Sequence, residues 1–133
     1  MTSDASVSSQ GTGSSELRMW LQIDAVVTGV NALAYLVAAP LVVDLLGSTE
    51  GIVRGIGAFL LLFTLVVVAA AARAGRTPGL AWAVVAGNAI WTVVSLAVVV
   101  MGSLELTTAG SAWAVAQAVV VGGLAALQLR ALR

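Results

Sequence analysis

The chain has 133 residues, 60% of them hydrophobic and 9% charged, with a mean hydropathy of +1.07. Soluble domains carry charge on about a quarter of their residues, so a soluble fold is a poor description of this composition. The formal net charge is zero and all basic residues are arginine, with no patch able to hold a phosphate backbone, which argues against a nucleic-acid partner. Cysteine and histidine are absent. Disulfides, zinc sites, bis-histidine haem ligation and a Ser-His-Asp triad therefore cannot be assembled from this chain alone. No cofactor or metal is expected.

Residues 1–16 open the chain. They are rich in Ser, Thr and Gly and too poor in apolar surface to offset ordering entropy, so a disordered tail is expected there. The first helix is expected at about 17–42. Its apolar run ends in small residues resembling a leader-cleavage site, but Asp24 interrupts it and Pro40 would follow the cut, so a retained span is expected. Pro40 should bend or end this helix. Further helices are expected at about 52–73, 79–101 and 109–130, each long enough to cross a hydrocarbon core of about 30 Å with about 20 residues. Gly47-Ser48, Gly75 with Pro78-Gly79, and Gly102-Ser103 punctuate the connections. The expected fold is all-α: an integral-membrane four-helix bundle over residues 17–133, multi-pass, with the lipid bilayer as its surroundings.

Arginine placement orients this bundle. Arg18, Arg73, Arg76, Arg130 and Arg133 fall on one side of four spans, and Arg54 alone on the other. By the positive-inside rule both termini are expected to be cytoplasmic, and the expected location is the plasma membrane. Trp20 and Trp82 then sit at the inner interface and Trp113 at the outer one.

Polar residues inside the apolar runs are the candidate site. Asp24, Thr28, Asn31 and Tyr35 recur at helical spacing on one stripe of the first helix, and Asn88, Thr92 and Ser95 do so on the third. Two uses are open. Such groups commonly bond one helix to another; alternatively they line a core that takes a small ligand or ion. Asp24, placed near the inner edge of the hydrocarbon, is either a proton carrier or an interfacial acid paired with Arg18 or Arg73, the latter being the commoner role. Glu50 and Arg54 stand in favourable order for a helical ion pair, an outer clamp that competes with capture of an anionic group. Trp91 lies mid-span and should pack between helices. Small residues at 114, 118, 122 and 126, and the pair Gly51 and Gly55, mark close-approach faces, within the bundle or between molecules.

The two halves also resemble each other. Residues 26–33 compare with 84–90, and Gly47-Ser48-Thr49-Glu50 with Gly102-Ser103-Leu104-Glu105. This fits a tandem repeat of two-helix units, or chance alignment of Ala/Val/Gly-rich helices. The run Asn88-Ala89-Ile90-Trp91 with Ser95 resembles small four-span membrane proteins of actinobacteria. That resemblance implies a four-helix membrane bundle over roughly residues 17–130 and carries over no functional residue.

No dinucleotide or Walker motif and no paired carboxylates occur, so the expectation is a non-enzymatic membrane protein. It would be structural or accessory, packing as a homo-oligomer or with a larger membrane-protein partner. The alternative is a small proton-coupled transporter or channel subunit using Asp24. A lipid- or quinone-binding subunit, with ligands supplied by a partner, is a third.

Overall fold

A computed structural model describes residues 2–133, with side chains from residue 14 onward. The helices are α1 (Thr2–Val37), the short α2 (Ala39–Leu46), α3 (Glu50–Ala72), α4 (Pro78–Met101) and α5 (Thr108–Leu132). Four stretches are long and apolar enough to cross a membrane: Ser14–Val37 within α1, and all of α3, α4 and α5. Among the described residues there is no β-strand, only an isolated antiparallel bridge between Gly47 and Leu106.

Each spanning helix turns large apolar side chains outward. Val26 on α1 is 65% exposed, Leu62 on α3 65%, Ile90 on α4 63% and Val119 on α5 68%. In water so continuous an apolar surface would drive association. Acyl chains are as apolar as leucine, so in lipid it is the expected exterior. The fold is an all-α bundle of a multi-pass membrane protein.

Local chemistry sets the boundaries. The expected first helix, 17–42, is in fact two helices. Pro40 has no N–H to give to the turn before it, and its ring opposes the carbonyl of Leu36. The chain accordingly breaks at Ala38 and restarts as α2 with Pro40 in its first turn. α3 begins two residues earlier than expected because the Thr49 hydroxyl caps it, accepting from Ile52 N–H at 3.2 Å. Thr107 caps α5 in the same way, accepting from Gly110 N–H at 2.9 Å. The tail expected over 1–16 lies outside the described side chains as far as residue 13. Its backbone is helical from Thr2 as the first part of α1, and the Glu16 carboxylate accepts from Arg130 at 3.1 Å.

Four crossings put the Glu16–Arg130 pair and the 73–77 turn at one end, here the terminal end. α2 and the 102–107 turn lie at the other, the loop end. α1 packs mainly on α3, and α4 mainly on α5, so the bundle is two hairpins side by side. Two apolar clusters fill it. One, at the terminal end, gathers Leu17, Leu21, Val67, Ala70, Ala81 and Val84. The other, toward the loop end, gathers Ala32, Tyr35, Ala39, Val53 and Leu60. On α1, Asp24 and Thr28 fall between the two clusters.

Candidate functional site

Asp24 is the centre of a buried polar layer. Only 1% of it is exposed. Its Oδ2 accepts from Asn88 Nδ2 at 2.7 Å and from Gln128 Nε2 at 2.8 Å, and its Oδ1 accepts from Thr28 Oγ1 at 2.9 Å. Asn88 Nδ2 also donates to Gln128 Oε1 at 3.2 Å, closing a ring of α1, α4 and α5 side chains. Asn88 lies ten residues into α4, about 15 Å along it at 1.5 Å per residue. The layer is thus at hydrocarbon depth, where a polar group without partners is expensive.

This corrects the expectation for Asp24. It neither reaches the headgroups nor pairs with Arg18 or Arg73; among the described residues its partners are all neutral. Arg18 instead donates through Nε to the Ala71 carbonyl at 3.3 Å. The helical stripe turned Asp24 toward the bundle axis, away from the arginines at the end of the span.

A second polar cluster lies nearer the loop end. Trp113 Nε1 donates to Tyr35 Oη at 2.9 Å, and Tyr35 Oη donates to Gln117 Oε1 at 3.5 Å. Between the two clusters is a cavity of about 30 Å³ lined by Thr28, Asn31, Asn88 and Gln117 among others. That suffices for a water molecule, and the polar lining suits one. Beyond it, toward the loop end, a larger chamber of about 220 Å³ opens between the hairpins. Tyr35, Ser95, Trp113 and Gln117 line it, and Gln117 and Trp91 border both spaces.

The expected site residues therefore divide. Asp24, Thr28 and Asn88 meet in one network. Asn31 is half-buried beside the small cavity, and Tyr35 and Ser95 face the chamber. Thr92 does not join them through its side chain: its hydroxyl donates to the Asn88 carbonyl one turn back at 2.9 Å. The outer clamp is a surface ion pair, Arg54 to Glu50 at 3.1 Å with both side chains 48% exposed. Such a pair contributes about 0.3–0.5 kcal/mol. Trp91 packs between helices as expected, stacked on Phe59 of α3 with centroids 5.9 Å apart.

Gln128 and Gln117 were missed. They stand about three turns apart, hence on one face of α5, in a run otherwise nearly all apolar. Amides in such a run carry the same signal as Asn31 and Asn88. The small-residue face of α5 is partly assigned: Ala118 is buried, and Gly122 meets the Thr92 methyl, so it packs on α4. Compared with protein-family models, curated proteins and solved structures, the chain matches none.

Proposed function

We propose that this is a non-enzymatic accessory protein of the plasma membrane, with both termini cytoplasmic, which packs through α3 against a second copy or a larger membrane partner. The orientation rests on the arginines: five of the six lie at the terminal end. The packing role rests on one observation. Gly51 and Gly55 are exposed with nothing within 4 Å of where a side chain would begin, and exposed Ala58 continues the strip. Small residues at this spacing let a helix backbone approach closely, which is how helices associate where lipid gives no hydrophobic drive.

The test replaces both glycines with leucine. Gly51→Leu with Gly55→Leu should leave the melting temperature in detergent within a few degrees, because no packed atom is displaced. Crosslinking in native membranes should lose its higher-mass species. A wild-type chain recovered from native membrane only as a monomer would overturn the reading.

A second reading, a proton-coupled transporter or channel subunit, is favoured by the continuity of polar groups from Asp24 through the water-sized cavity to the chamber. Asp24→Asn decides it. Proton-coupled flux in liposomes that is abolished by this substitution supports the reading, and equal flux in both proteins, or none in wild type over a broad substrate panel, retires it.

A further inference from the structure

We infer that the chamber at the loop end is a binding site for a compact apolar molecule carrying one hydrogen-bonding oxygen, of phenol size or somewhat larger. Its walls come from both hairpins, with Val42 and Ile56 on one side and Val94, Val98 and Ala114 on the other. A dry apolar cavity of about 150 Å³ takes up benzene, and this one is about 220 Å³. Thr107 ties the two hairpins together at the loop end: its N–H donates to the Leu46 carbonyl at 3.0 Å, and its hydroxyl donates to the Leu45 carbonyl at 2.9 Å. Hydrogen bonds as well as apolar contacts therefore link the two hairpins at that end of the space.

Two hydroxyl groups on the wall have unused hydrogen-bonding capacity. Ser48 Oγ is buried and has no partner among the described residues. Tyr35 Oη reaches its acceptor, Gln117 Oε1, only at 3.5 Å, whereas a hydroxyl donor ordinarily sits about 2.7–2.8 Å from an oxygen. A buried polar atom without a full set of partners is costly, and a ligand oxygen within reach of either hydroxyl recovers part of that cost. The lining is otherwise apolar, so the rest of the ligand must be too. An unbranched acyl tail fits less well, because it presents no oxygen at the level of Tyr35.

The test uses the fluorescence of Trp91 and Trp113, both of which line the chamber, in a Trp20→Phe, Trp82→Phe background in detergent. The quencher is 4-bromophenol. Saturable quenching is expected, with affinity reduced roughly three- to tenfold by Tyr35→Phe, the equivalent of one hydrogen bond, and at least about tenfold by either Ser95→Phe or Ala114→Phe, which fill the space. Thermal melting identifies any variant that fails to fold, and the two filling variants are independent of each other. Quenching that rises linearly with concentration, or that is unchanged in a folded filled variant, overturns the site. Affinity unchanged by Tyr35→Phe, or equal for bromobenzene, overturns the polar end. Phosphatidylcholine brominated along its tails distinguishes the source: if its quenching is removed by the same filling substitutions, the occupant is a lipid tail and the compact ligand is wrong.

Discussion

Asp24 shows how lipid changes the meaning of a hydrogen bond. Each cross-helix bond in a membrane contributes only about 0.6 kcal/mol on average, because the unfolded chain in lipid also finds partners. Losing the partners of an already buried group costs more, about 1–3 kcal/mol per group. Asp24→Leu leaves Gln128 Nε2 without its acceptor and Asn88 Nδ2 with one acceptor fewer, and should destabilise the bundle by that amount or more. Asp24→Asn need not. Its carbonyl can accept from Asn88 and Gln128, and its amide can donate to Thr28, whose hydroxyl rotates to accept. The asparagine variant should therefore keep its melting temperature close to wild type, which is why it separates flux from folding. Asp24, Thr28 and Asn88 were readable from the chain because spacing alone puts polar residues on one stripe. Their meeting with Gln128 was not, since the register of α5 against α1 and α4 is set by packing.

The last three spans were readable as lengths and as boundaries within a few residues, because caps and prolines are local chemistry, whereas the first helix starts at Thr2 and is broken at Ala38. Their contact faces were less so. A helix that is apolar all round has no amphipathic stripe to read, and in lipid the outward face is as apolar as the buried one. Close approach supplies the missing signal at a few glycines. A side chain on Gly57 would begin 2.9 Å from Tyr35 Cβ and 3.2 Å from the Ala32 carbonyl oxygen, so α1 and α3 can meet there only without one. On Gly110 it would run into the Leu46 carbonyl, separating α5 from α2. Gly57→Leu should lower stability by about 1–3 kcal/mol or more through overpacking, read as a drop in detergent melting temperature. An unchanged melting temperature would mean that α1 and α3 are not apposed as described.

Taken whole, the molecule is two hairpins joined by a polar layer between the two apolar clusters and at the loop end by the Gly47–Leu106 bridge, with a chamber left between these two ties. The number of spans was evident from the apolar runs. The chamber was not, because it arises where hairpins diverge and no local pattern encodes divergence. Natural absence of cysteine allows the topology to be tested with single introduced thiols. Arg76→Cys and Ser103→Cys, treated in intact cells with a membrane-impermeant maleimide, should differ: the thiol at 103 labels directly, and that at 76 labels only after permeabilisation. Labelling of both from outside, or of 76 alone, would contradict the four-span arrangement or its orientation.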